Sequence, residues 1–183
     1  MVNKAKFSKE DELLLQDFSA SISKTASATF YLISLVAAAA PIYLYYGVHQ
    51  MEINDSWFIW IAAVVGVTYI LAQAYKNVKH VIKHQIVVKR GDAVTREISR
   101  QLADDKNMSK KEKDERVLWK KNEVGDYEAT VFTIFYNNIF FYTVFLALSF
   151  FLLANVNPIV NCFLSMYGAA GIVYGFSQSK KTY

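Results

Sequence analysis

His80 and His84 stand four residues apart, the spacing that sets two imidazoles on one face of a helix and begins many metal sites. No cysteine or carboxylate lies near them in sequence, so the pair is a weak metal signal and a solvated helix face is the plainer reading. His49 stands alone, and so does Cys162, which sits in an apolar stretch and reads as a buried structural thiol. No nucleophile has a credible base, no glycine-rich loop could cradle a phosphate, and the long apolar stretches hold no Asp, Glu, Lys or Arg. Ion pathways and proton relays through a membrane need such groups, so a coupled transporter is disfavoured together with an enzyme. No catalytic residue, metal ligand or cofactor is expected.

The residues that do form patterns are cations and small residues. Lys76, Lys79, Lys83, Lys89 and Arg90 follow one another with no acid among them. A second cluster, Lys106, Lys110, Lys111, Lys113, Arg116, Lys120 and Lys121, is diluted by Glu112, Asp114 and Glu115. Gly171 and Gly175 form a Gly-x-x-x-Gly pair with Gly168 before it, a pattern that lets membrane helices approach closely, within the chain or between subunits.

The elements that position these groups follow from the distribution of charge. At 54% hydrophobic the composition is ordinary, but residues 25–51, 56–75 and 129–179 lack Asp, Glu, Lys and Arg entirely. A helix needs roughly 20 apolar residues to cross the hydrocarbon, so the first two stretches fit one span each and the third fits two. Within the third, Asn155-Val156-Asn157-Pro158 is a turn signal, with Pro158 suited to the first position of a new helix. The spacing predicts an all-α membrane protein with four transmembrane helices near Ala26–Tyr46, Trp57–Tyr75, Thr130–Ala154 and Pro158–Phe176. Asn137, Asn138 and Gln73 are the polar side chains expected to hydrogen-bond between spans.

Lys and Arg are retained on the cytosolic side of short loops. Four fall in residues 1–25, fourteen in 76–128 and two after Phe176, with none in the two short loops. The expected organisation is therefore a cytosolic amino-terminal segment (1–25), spans 1 and 2 (26–75), a basic cytosolic segment (76–129), spans 3 and 4 (130–176) and a cytosolic tail (177–183). Tyr43, Tyr45 and Tyr46 face Trp57 and Trp60 across the first short loop, as an interfacial aromatic belt would. No cleavable signal peptide is expected. The sequons at Asn54 and Asn107 are expected to stay unmodified, the first for its closeness to span 2 and the second for its cytosolic side.

The cytosolic segment reads as an antiparallel helical hairpin between spans 2 and 3. Val78, Val81, Ile82 and Ile86 share one helical face, Gly91 is a candidate kink, and Val94, Ile98 and Leu102 resume the face. Asp104 to Asn107 form a polar turn, and Ser109 with Glu112 has the pattern of a capping box opening the returning helix. Two arms of about 25 residues would reach on the order of 35 Å from the membrane, with apolar faces together and charges outward. The proximal cations Lys76, Lys79, Lys83, Lys89 and Arg90 are then a lipid-facing anchor, each contributing about 1 kcal/mol beside anionic headgroups. The distal cluster lies too far out for lipid and has two readings, a solvated face or a surface for a polyanion such as RNA. Leu14, Phe18 and Ile22 place a short amphipathic helix before span 1, resting on the hairpin or the membrane interface.

Longer stretches carry a resemblance. Leu13-Leu14-Leu15-Gln16-Asp17-Phe18-Ser19, Ala74-Tyr75-Lys76-Asn77-Val78-Lys79 and Met108 to Arg116, continuing through Leu118 to Val124, Asp126 to Thr130 and Tyr136-Asn137-Asn138, resemble the gamma subunit of the translocon-associated protein (TRAP) complex, also called signal sequence receptor gamma. The resemblance covers nearly the whole chain. It implies residence in the endoplasmic reticulum membrane with the TRAP alpha, beta and delta subunits, beside the protein-conducting channel (Sec61). It also implies that the hairpin meets the ribosome, on ribosomal RNA or a ribosomal protein, with Lys106, Lys110, Lys111, Lys113, Arg116 and Lys120 as the expected contacts. Lys180 and Lys181, four and three from the end, resemble a dilysine retrieval signal and equally suit positive-inside anchors. The expected role is a non-catalytic, ribosome-docking subunit supporting co-translational translocation. The second reading is a membrane scaffold whose hairpin binds anionic lipid or another protein.

Overall fold

The computed structural model describes residues 24–101 and 109–179. The expected amino-terminal helix, the polar turn before Ser109 and the dilysine tail lie outside the described residues. All the rest is helix and short turn: α1 (Lys24–Gly47), α2 (Ile53–Gln101), α3 (Lys110–Ala147), continuing as a π-helical turn (Leu148–Leu152), and α4 (Pro158–Ser179). Each of the four contains a stretch long and apolar enough to cross a membrane. Helix α2 is 49 residues long and α3 is 38, so both run well past the roughly 20 residues a bilayer requires.

Local chemistry sets the ends. Ser109 Oγ accepts from the Glu112 backbone N–H at 3.3 Å while a Glu112 carboxylate oxygen accepts from the Ser109 N–H at 2.9 Å, a complete capping box. Pro158 opens α4 at the position where its missing N–H costs nothing, and Asn157 Oδ1 accepts from the Ile159 N–H at 2.9 Å. Gln50, with φ of 52°, takes the left-handed conformation that turns the chain from α1 into α2.

Helix α2 touches the other three helices and forms the spine of the bundle. Phe30, Leu71, Tyr75, Phe141, Phe145, Met166 and Val173 fill the core, and Ala37, Ala38, Ala63, Ala74, Ala169 and Ala170 are buried where helices pass closely. Gly66 meets the Tyr167 ring: a Cβ there would lie 2.0 Å from the Tyr167 hydroxyl, which instead donates to Ala62 O at 3.0 Å.

Two backbone irregularities are answered by side chains from other helices. Pro41, inside α1, has no N–H to give the carbonyl four residues back, and the Tyr142 hydroxyl donates to that carbonyl, Ala37 O, at 3.1 Å. The wide π-helical turn exposes carbonyls that Asn161 satisfies, donating from Nδ2 to Ser149 O at 3.0 Å and Leu153 O at 2.8 Å. Asn161 Oδ1 in turn accepts from the Tyr45 hydroxyl at 3.0 Å and the Ser165 hydroxyl at 2.8 Å. His49, read from sequence as a lone loop residue, joins this cluster: Nε2 is 3.3 Å from Ser149 Oγ, and the ring stacks on Tyr45 and Phe150.

Candidate functional site

Beyond residue 75 on α2 and before residue 130 on α3 the helices become charged, and the two stretches stay together. A Cβ on Gly125 would lie 2.8 Å from Val87, and one on Gly91 would lie 3.9 Å from Lys121, so partners descend on α3 as they ascend on α2. Without a side chain at Gly125, α3 admits Val87, which is buried.

The proximal cations are not uniformly outward. Lys79 Nζ lies 2.9 Å and Lys83 Nζ 3.3 Å from the Asp126 carboxylate, and the two lysine side chains are only 4% and 8% exposed. Lys79 also sits over the Phe30 ring, 5.7 Å from its centroid, and Lys76 over the Tyr31 ring at 4.7 Å. Two of the five expected lipid-facing cations are thus turned inward, because α3 brings a carboxylate to the face of α2 that the local sequence lacks. The expected packing of apolar faces with all charges outside is corrected by the same triad. Lys89 and Arg90 remain exposed, Arg90 paired with Glu128. Burial pushes the Asp126 carboxyl up, but the hydrogen bond and charge of Lys79, with those of Lys83, outweigh it and hold it below its ordinary value.

The distal cations lie on α3. Lys111 and Arg116 are exposed and Lys113 half-buried. Lys120, also half-buried, pairs with Glu123 at 2.8 Å and lies 5.9 Å from the Trp119 ring centroid. Lys106 and the Lys110 side chain lie outside the described residues. Among the described residues no group of three or more His, Cys, Asp and Glu comes together as a metal site; His84 is exposed and His80 half-buried.

Two of the three glycines of the α4 pattern lie outside the packing among the described residues. The inward face of α4 runs through Cys162, Ser165, Met166, Ala169, Ala170 and Val173, whereas Gly171 and Gly175 are exposed with nothing within 4 Å of a Cβ. Gly168 lies nearer the bundle, a Cβ there falling 3.1 Å from Leu148. Of the polar span residues, Asn138 accepts from the Tyr75 hydroxyl, and Asn137 donates to Thr133 O of its own helix at 2.7 Å. Asn77 donates to Ser177 Oγ at 3.1 Å and ties α2 to α4 near the charged end.

Sequence reasoning gave no role to Asp126 or Trp119, and set Tyr127 with Val117, Leu118, Val124 and Val131 on the apolar run of the returning helix, whereas Tyr127 and Val131 are exposed. Both aromatics are strongly exposed. An isolated tryptophan among lysines is a readable signal, but the partner of Asp126 required knowing the register of α2 against α3.

A translocon-associated protein subunit gamma from Dictyostelium discoideum is 26% identical over 152 residues, covering 83% of this chain and 86% of that protein. The family model for the translocon-associated protein gamma subunit (TRAP-gamma) matches residues 10–179, taking in all four helices, and the chain therefore belongs to the TRAP-gamma family.

Proposed function

We propose that this chain is a non-catalytic subunit of a translocon-associated complex in the endoplasmic reticulum membrane. The four helices sit in the bilayer among the alpha, beta and delta subunits beside the Sec61 channel. The paired charged ends of α2 and α3 form a hairpin that projects into the cytosol, where it docks the ribosome. The observation that carries this reading is the base of the hairpin: the Lys79–Asp126–Lys83 triad and the close approach at Gly125 fix α3 against α2. A helix so held presents Lys111 and Arg116 at a set place instead of on a loose tether, which lowers the ordering cost of docking. Family membership supports the complex, and the concentration of 14 of the 20 Lys and Arg between residues 76 and 128 supports the cytosolic side.

In mechanism, the distal cations steer the chain onto the ribosome and several act together, because each exposed pair is weak and screened by salt. The test is co-sedimentation of ribosomes with the full-length solubilised protein across a salt series, comparing wild type with a Lys110→Glu, Lys111→Glu, Lys113→Glu, Arg116→Glu variant. Wild type is expected to sediment at low salt and the variant to stay in solution. Equal behaviour of the two would reduce the distal cluster to a solvated face.

A further inference from the structure

Three lysines of α2 share one side of the helix just past its apolar stretch. Lys79 and Lys83 follow Lys76 at offsets of three and seven, and the three line the corner that α2 makes with the start of α1 and with α3. Lys76 Nζ lies over the Tyr31 ring of α1 and Lys79 Nζ over Phe30, while Lys79 and Lys83 both reach Asp126 of α3. The hydrogen bond that joins α1 to α3 directly, Tyr142 to Ala37 O, lies two turns further along α1.

The charges in this corner do not balance. Among the described residues, Lys79 and Lys83 share one carboxylate, and Lys76 has a ring beneath it and no acid. An exposed cation is answered by water, but an ammonium group taken out of water needs a counter-charge. Both Lys79 and Lys83 are more than nine-tenths buried, so the excess positive charge is held inside the protein. A second anion beside Lys76 and Asp126 would restore the balance.

Position selects the kind of anion. Tyr75 ends the charge-free stretch of α2 and Lys76 is the first cation after it. On the bilayer placement proposed above, the corner therefore sits at headgroup depth in the cytosolic leaflet, where anionic phosphates are concentrated. Half-buried Tyr31 and, one turn deeper on the same face of α1, exposed Leu35 put apolar surface below Lys76. Such surface suits an amphiphile and does nothing for a free anion.

We propose that the Lys76–Lys79–Lys83 corner binds the phosphate of an anionic phospholipid, which supplies the counter-charge that Asp126 alone leaves missing. The inference rests on the bilayer placement and is independent of ribosome docking. A headgroup so held pins the base of the charged extension to one leaflet.

The test uses the full-length chain, first reconstituted in phosphatidylcholine vesicles and extracted at alkaline pH. Release of the chain overturns the bilayer placement and this inference with it. Retained chain is then purified in detergent, and its binding of phosphatidylserine is compared with that of phosphatidylcholine by native mass spectrometry. Wild type is expected to prefer phosphatidylserine, Lys76→Gln to weaken that binding about fivefold, and Lys76→Arg to restore most of it. The proteolysis pattern of Lys76→Gln should be unchanged, because the Lys79–Asp126–Lys83 triad is left in place. Lys89→Gln removes the same charge from an exposed position and is expected to alter binding little. Equal binding of the two lipids, or equal losses in Lys76→Gln and Lys89→Gln, reduces the corner to a diffuse positive surface and overturns the inference while the bilayer placement stands. Displacement of the lipid by inorganic phosphate overturns it as well, and assigns the corner to a soluble anion.

Discussion

The two ends of the bundle bury polar groups by opposite means. At the short-loop end Tyr45, Ser149, Asn161, Ser165 and His49 are joined by hydrogen bonds, and the nearest backbone irregularity, the π-helical turn, is answered by an amide. At the other end Lys79 and Lys83 are buried with full charges and a single carboxylate between them. The difference follows from solvent. Within an apolar span every backbone and side-chain polar group must find a partner inside the protein, and neutral amides and hydroxyls do so without an ionic desolvation cost. Past the spans, Asp126 is 41% exposed, so water shares the load and an ion triad can serve as the clamp.

This contrast can be broken first at the charged end. Asp126→Asn leaves two buried ammonium groups facing one another, and removing one partner of a buried ion pair typically costs about 3 kcal/mol. The charged extension should loosen while the apolar bundle stays folded, visible as faster proteolysis of the charged stretches with unchanged detergent-resistant helix. Acid should act the same way. A carboxyl held below its ordinary 3.8 contributes stability that is present above that value and is lost as pH falls through the lowered folded value. Protease sensitivity of the extension should therefore rise below about pH 4, and Asp126→Asn should be insensitive to that step.

At the short-loop end the effect is smaller but lies within the spans. Asn161→Leu removes the donor to two carbonyls and the acceptor for two hydroxyls, and leaving such groups unpaired costs about 2 kcal/mol. A lower midpoint of thermal unfolding in detergent is expected, with the charged extension unaffected. Gly66→Ala comes next at about 1 kcal/mol, because Tyr167 must swing aside and give up Ala62 O. Gly171→Leu with Gly175→Leu should be near neutral in the isolated chain, since among the described residues nothing lies within 4 Å of a Cβ at either position. If that face meets another subunit, the pair of changes should instead reduce co-purification of the complex.

What could be read from sequence and what could not divides along the same line. The four helices long and apolar enough to cross a membrane were legible because the charge-free stretches are long and the bilayer thickness is fixed. The cap at Ser109 and the start of α4 at Pro158 were legible because both are local chemistry, decided within four residues. The partner of Lys79 was not, because Asp126 is 47 residues away and its approach depends on helix register. The answer of Tyr142 to Pro41 was hidden for the same reason. For α4, glycine spacing marked a small-residue face, while the inward face is set by Cys162, Met166, Ala169 and Val173 at the helical repeat of the core. Exposure of Trp119 required knowing which side of α3 faces α2.

The central claim is that the charged end lies in the cytosol and meets the ribosome. Labelling an Arg116→Cys variant with a membrane-impermeant thiol reagent in sealed microsomes tests both parts at once, since the native Cys162 is buried. The account predicts labelling of intact vesicles stripped of ribosomes, and protection when ribosomes are added back. Labelling only after the membrane is opened would contradict the topology, and labelling indifferent to ribosomes would contradict the docking.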